Sequence, residues 1–257
     1  INIIRKYCNY DDLLLEDIDV EWIDNFVRHL KHQGNKENTI ATRLRCIRAV
    51  ISFAKRRGKT DYDAFLNYSI KIEETVKRSL TVEQLRALLN VKLTKKRAEY
   101  RDVFFLVFYL MGINIVDLSK IKEISEGRIF YKRAKTGTQY SIKVEPEALA
   151  IIKRYKGDEH LLSMFDDTKN YLYREHSLNH ALKLICKEID LPNITVYWAR
   201  HSFATIAYQI GIPTDVIADC LGHKSAHRIT EIYIQKDQTK IDEANRKVID
   251  YVLYDKL

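Results

Sequence analysis

The sequence predicts a mainly α-helical chain with one small antiparallel sheet, organised as two domains. Apolar residues recur at three-to-four spacing over most of the chain, as helices that bury one face require. Alternation of the β type is confined to about residues 121–144. A charged stretch without sustained periodicity, beginning near Tyr68, marks a linker and divides the chain into 1–70, a linker at 71–79 and 80–257.

Taken in order, Asn38 or Thr39 can cap a helix whose apolar positions are Ile40, Leu44, Ile47, Ile51 and Ala54, with Gly58 ending it. Arg45, Arg48, Ser52 and Lys55 recur on another face of the same helix. After the linker, Thr81 and Gln84 have capping-box spacing. An apolar helix follows from Asp102 to Met111, closed by Gly112. In the strand region Gly127 precedes residues 128–133, residues 135–137 (Lys-Thr-Gly) make a turn, and Tyr140, Ile142 and Val144 alternate after it. Pro146 suits a helix's first turn. Thr195 can cap a helix ending near Gly211, and Pro213 opens the next. Phe203 and Trp198 read as core. The stretch 237–254 is amphipathic, with Ile241, Ala244, Val248, Val252 and Leu253 as its stripe.

Composition narrows the function classes. The longest apolar run, Val103–Ile113, is too short to span a bilayer, and no signal peptide opens the chain at Ile1. Cys8, Cys46, Cys186 and Cys220 lie far apart with no CxxC pair, so neither a zinc site nor a disulfide framework is expected. A cytoplasmic, nucleoid-associated protein is the expectation. Residues 31–60 hold nine Lys/Arg against Glu37 alone, an excess equal to the whole-chain net charge of +8. Such a cluster (Arg43, Arg45, Arg48, Lys55, Arg56 and Arg57 within it) suits a polyanion, although composition alone equally allows a solvated helix face.

Cutting a phosphodiester without a metal needs fixed cations on the non-bridging oxygens, a nucleophile, and a proton for the leaving 5′ oxygen. Arginine suits the first task because its planar fork grips two phosphate oxygens and stays charged. A tyrosine nucleophile keeps the bond energy in a phosphotyrosine, so rejoining needs no ATP. Candidates for these roles stand late in the chain: Arg200 and His201 within YWARHSFAT (197–205), His223 after Leu221-Gly222, and Tyr233 within TEIYI (230–234). Lys135 sits upstream at the hairpin turn.

These segments together resemble the tyrosine recombinase (phage-type integrase) family, in the order that family uses, and the likeness runs from about residue 10 to the C-terminus. The resemblance implies a two-domain DNA clamp with the tyrosine recombinase catalytic fold, acting on double-stranded DNA without metal or other cofactor. It implies Tyr233 as nucleophile, Arg200 as the second catalytic arginine, His223 as a donor to a non-bridging oxygen and Lys135 as general acid. Asp117 matches an acidic residue that supports the site, and His201 a base or a residue behind the first contacts.

Three departures stand out. Asn114 occupies the place of the first catalytic arginine, Tyr197 replaces a histidine, and the interval from His223 to Tyr233 is one residue longer than is commonest. Losing one guanidinium at a phosphoryl transition state costs on the order of several kcal/mol. Arg133 is the candidate replacement: on an extended strand it would share a face with Lys135 two residues on.

By the same resemblance, four protomers synapse two sites, joined through the C-terminal helix, with accessory DNA-bending proteins as further partners. The amphipathic stripe suits packing on its own domain or docking into a neighbouring protomer, and the second is expected. The mobile-element branch is preferred because of the atypical site. Such members often carry an N-terminal arm-binding domain, for which the chain starting at Ile1 leaves no room. Two alternatives are a type IB topoisomerase-like enzyme and a catalytically inactive DNA-binding protein.

Overall fold

The computed structural model describes residues 2–8, 13–74, 78–167, 170–222 and 238–256. Tyr233 and His223 lie outside them. The chain divides into two compact units, Ile1–Val76 and Lys77–Leu257.

The first unit contains α1 (Asn2–Cys8), α2 (Val20–His32) and α3 (Glu37–Arg56). Asp19 caps α2 by accepting the Trp22 N–H at 2.7 Å. Ile23, Phe26 and Leu30 of α2 are buried with Ile40, Leu44, Ile47 and Ile51 of α3, and Ala64 and Phe65 complete this core. Each such side chain contributes about 1.5–3 kcal/mol by leaving water. The apolar stripe of α3 is therefore the expected one, except that Ala54 is only partly buried. The start differs. α3 begins at Glu37, and the Asn38 amide is used elsewhere, donating to the Glu73 carbonyl at 2.8 Å and accepting its N–H at 3.1 Å. That exchange ties residue 73 to this unit, while Tyr68 and Ile70 pack on its core, so part of the expected linker is held here.

The second unit carries α4 (Val82–Asn90), α5 (Lys95–Tyr109), α6 (Ile115–Leu118), β1 (Arg128–Lys132), β2 (Gln139–Lys143), α7 (Pro146–Arg154), a 3-10 turn (Ser163–Phe165), α8 (Tyr171–Glu188), α9 (Tyr197–Gln209), α10 (Thr214–Leu221) and α11 (Gln238–Tyr254). The Thr81–Gln84 capping box is formed, and Pro146 opens α7. Thr195 does not cap α9: the cap is Val196, whose N–H is taken by the Asn179 side chain at 2.8 Å.

α5 starts seven residues before the expected Asp102, and every residue from Asp102 to Tyr109 is buried. It packs against α4, α7, α8 and α9. A helix enclosed on all sides shows no amphipathic stripe, which is why its polar first turns were illegible. Its one buried acid, Asp102, accepts from Arg101, Arg154 and Tyr155. β1 and β2 form an antiparallel hairpin in the register Arg128↔Lys143 and Tyr131↔Tyr140.

α11 packs on its own unit, the first of the two arrangements its stripe allows. Ile241, Ala244, Val248 and Val252 are buried together with Asn245 and Ile249, against α10, α4 and α9 of the same unit. The stripe expected to dock into a neighbouring protomer is filled at home. Polar ties accompany the packing: Arg246 reaches Glu145, Glu147 and Asp250, and Arg86 donates to the Val252 and Tyr251 carbonyls at the end of α11.

Candidate active site

The site is assembled where α5 ends. Met111 (φ 54°) and Gly112 (φ 74°) turn the chain sharply out of the helix. Beyond the φ requirement, a Cβ on Gly112 would lie 2.5 Å from the Arg200 Cβ, so glycine is what lets α9 come this close. The Gly112 carbonyl then accepts from Arg200 Nη1 at 2.8 Å.

Arg200 is 6% exposed. Its Nη2 donates to the Leu221 carbonyl, and Arg133 Nη1 donates to the Gly222 carbonyl one residue on. Two guanidiniums are thus anchored on the last carbonyls of α10, the partially negative end of a helix, which offsets their mutual repulsion. Burial lowers the Arg200 pKa from its usual value, and the charge of Arg133 beside it lowers it further. Gly222 is left-handed (φ 67°), and a Cβ there would overlap the Tyr140 hydroxyl on β2.

The hairpin brings the remaining groups. Arg133 follows β1, and its carbonyl accepts from Gly137 N at 2.8 Å, closing a turn that contains Lys135. The expectation that Arg133 and Lys135 share a face of an extended strand is therefore not met; β1 ends at Lys132, and the turn brings both residues to the same cavity. Asp117, 2% exposed on α6, takes the Ala134 N–H at 2.8 Å, and the Asn114 amide donates to its other oxygen at 3.5 Å. Asp117 thus holds the turn between Arg133 and Lys135 in place. Burial raises the pKa of Tyr131, with the Asp117 charge next in effect, and this ring stacks on Tyr140 at 5.4 Å.

Asn114, Arg133, Lys135, Tyr197 and Arg200 line one cavity of about 340 Å³. Of the expected site residues among those described, Asp117 stands behind the cavity and His201 does not line it. The His201 ring meets Tyr197 edge-on at 4.9 Å, and burial, then the charges of Arg78 and Arg200, lowers its pKa. Tyr171 and Glu175 of α8 also line the cavity. No motif marked them, because α8 reaches the site only through the fold. Among the described residues no group of three metal-ligating side chains gathers.

Two family models cover the chain: the phage integrase family over residues 78–240 and the phage integrase SAM-like domain over residues 1–70. The chain belongs to the phage integrase family. It is similar to tyrosine recombinase XerD of Halalkalibacterium halodurans, 23% identical over 257 residues covering 93% of this chain and 86% of the relative. Among solved structures it is similar to a lambda integrase fragment, a dimer bound to a COC′ core site (TM-score 0.69, 18% identity, 92% of this chain and 87% of that one). It is also similar to the Tn1549 transposon integrase in complex with transposon right end DNA (TM-score 0.66, 15% identity, 92% and 87%). At these identities the structural likeness speaks for the fold, which is the mainly helical one with a small sheet that the sequence predicts. As a family member the chain is a tyrosine recombinase, a DNA strand-transferring enzyme of site-specific recombination.

In the first unit, Arg45, Arg48 and Arg56 are exposed along one side of α3. Lys55 is tied to Asp63 at 3.2 Å, Arg57 lies over the Phe53 ring at 5.2 Å, and Arg43 is partly buried on the other flank. The candidate DNA cations are therefore not one uniform face. No helix among the described residues is long and apolar enough to cross a membrane.

Proposed function

We propose that this chain cuts and rejoins double-stranded DNA through Tyr233 and that it integrates and excises a mobile element. The observation that carries the reading is the convergence of Arg200, Arg133 and Lys135 on one cavity, with α10 ending at Leu221 and capped by Gly222, which precedes His223 in the sequence. Arg200 and Arg133 hold the scissile phosphate, Arg133 standing in for the arginine that Asn114 replaces. The Tyr233 oxygen attacks phosphorus and its phenol proton passes to solvent, while His201 stands back from the cavity against the Tyr197 ring. The bond from phosphorus to the 5′ oxygen breaks, Lys135 protonates that oxygen, and a 3′-phosphotyrosine link remains. His223 donates to a non-bridging oxygen. Attack by a 5′ hydroxyl of the partner strand reverses each transfer and frees Tyr233, so the step conserves bond energy.

The exposed cations of α3 supply sequence-independent grip on the duplex. The working assembly is a homotetramer on two DNA sites. Accessory DNA-bending proteins assist it. Asn114 in place of an arginine favours the mobile-element role over chromosome-dimer resolution.

The test is covalent trapping on nicked duplexes that carry the junctions flanking the gene, resolved on a denaturing gel beside Tyr233→Phe. A DNA-linked band that disappears in the variant is expected. Salt-sensitive binding without a band would point to a catalytically inactive DNA-binding protein. Relaxation of supercoiled DNA by a monomer would point to a topoisomerase-like enzyme.

A further inference from the structure

Asp242 stands one turn into α11, and Arg128 opens β1. Their side chains form a two-pronged ion pair, Nη1 to Oδ2 at 2.7 Å and Nη2 to Oδ1 at 2.9 Å, with both partners about four-fifths buried (21% and 18% exposed). Arg128 Nε also donates to the Ser141 hydroxyl at 2.6 Å on the paired strand. Gln238, the first residue of α11, donates to the Ser141 carbonyl at 3.1 Å and to Asp242 at 3.2 Å. Four residues from β1, β2 and α11 thus close one network on the hairpin that carries Lys135.

The other end of the intervening sequence meets the same hairpin. Gly222 accepts from Arg133 and lies against Tyr140. Gly222 and Gln238, the described residues on either side of 223–237, therefore both meet this hairpin. In the sequence Tyr233 is five residues before Gln238, which Ser141 and Asp242 fix. Reaction rates are sensitive to such anchoring, because a misplacement of about 1 Å can cost on the order of a hundredfold.

We propose that the Arg128–Asp242 pair, with Gln238 and Ser141, is a positioning latch that sets the reach of Tyr233 toward the phosphate, and that it acts on the covalent step and not on DNA binding. This rests on the assignment of Tyr233 as the nucleophile. A purely structural pair would lower the melting temperature without slowing the covalent step at saturating DNA beyond what the lost stability explains. The Arg246 network with Glu145, Glu147 and Asp250, further along the same helix, serves as the comparison.

The experiment compares Asp242→Asn, Gln238→Ala, Arg128→Lys and Arg246→Ala in the full chain. Adduct formation is timed on the nicked duplex at saturating DNA, and DNA affinity and thermal unfolding are measured in parallel. Asp242→Asn and Gln238→Ala should slow adduct formation roughly tenfold or more while affinity stays within about twofold. Arg128→Lys, which keeps the charge but loses the fork, should fall between them and wild type. Arg246→Ala should lower the melting temperature without that loss of rate. Wild-type rates in Asp242→Asn and Gln238→Ala would overturn the latch, as would loss of rate in step with melting temperature across all four. A Tyr233→Phe chain that still forms the adduct overturns the nucleophile and the latch with it, whereas wild-type rates in Asp242→Asn and Gln238→Ala overturn the latch alone. No adduct from wild type overturns both.

Discussion

α3 and α9 both carry arginines, and they treat them in opposite ways. On α3 the core takes the aliphatic stripe and leaves Arg45 and Arg48 in water. On α9 the guanidinium of Arg200 is drawn inside and anchored on the carbonyls of Gly112 and Leu221. A solvated arginine meets phosphate through counterion release and adds affinity that salt removes. A buried one has already met its desolvation and ordering costs during folding, so it can favour the transition state without reorganising. Under the proposed function, the difference separates holding DNA from acting on it.

The strongest way to sharpen that contrast is to remove the buried cations. Arg200→Ala and Arg133→Ala should each slow adduct formation by roughly 10²–10³, while the salt dependence of binding shifts little. Adding Asn114→Arg to Arg133→Ala should recover part of the loss, since both positions line the same cavity. An Arg133→Ala chain with full rates would remove Arg133 from the mechanism.

Gly112→Ala is next. It places a Cβ against Arg200 at a φ of 74° that L side chains rarely adopt, and should cost on the order of 2 kcal/mol in denaturant unfolding. It should also slow cleavage, because α9 must shift to relieve the overlap. Unchanged stability would mean that the turn absorbs the methyl group.

Arg45→Ala and Arg48→Ala should weaken binding several-fold and lower the slope of log affinity against log salt by about 0.9 each. Their defect should be recovered by raising the DNA concentration, unlike that of Arg200→Ala. A cleavage defect that survives saturation would break the comparison.

The smallest effect concerns His201. Its folded pKa lies below the unperturbed 6.5, so the unfolded chain takes up the proton first as pH falls. Its contribution to stability is complete above about 6.5 and erodes below that value until the folded group also titrates. Melting curves of wild type and His201→Gln between about pH 5 and 8 should converge toward the acid end. A constant gap would mean that the imidazole does not titrate differently on folding.

The sequence showed what local chemistry determines. The Thr81 capping box, Pro146 at the start of α7 and the alternation of the hairpin each depend on a few neighbouring residues. Lys135 in its turn and Arg200 on its helix were legible for the same reason. The anchors of Arg133 and Arg200 were not, because Leu221 and Gly222 contribute main-chain carbonyls that no side-chain pattern announces. Nor was the pairing of Arg128 with Asp242, 114 residues apart. The destination of the α11 stripe was ambiguous in principle: an amphipathic pattern reveals that a face is covered, not by which molecule. Tyr233 and His223, the residues most visible in the sequence, lie outside the described residues, and their roles rest on the family pattern.

The enclosure of α5 has a consequence for how this protein yields. With Asp102 to Tyr109 shut off on every side, the amide protons there can meet solvent only when the whole second unit opens. They should be the last to exchange into heavy water. Because Arg200 is fastened to Gly112, just past the end of that helix, the guanidinium proposed to hold the phosphate is tied to the segment that loosens last. Partial unfolding elsewhere in the unit would leave this part of the candidate site standing.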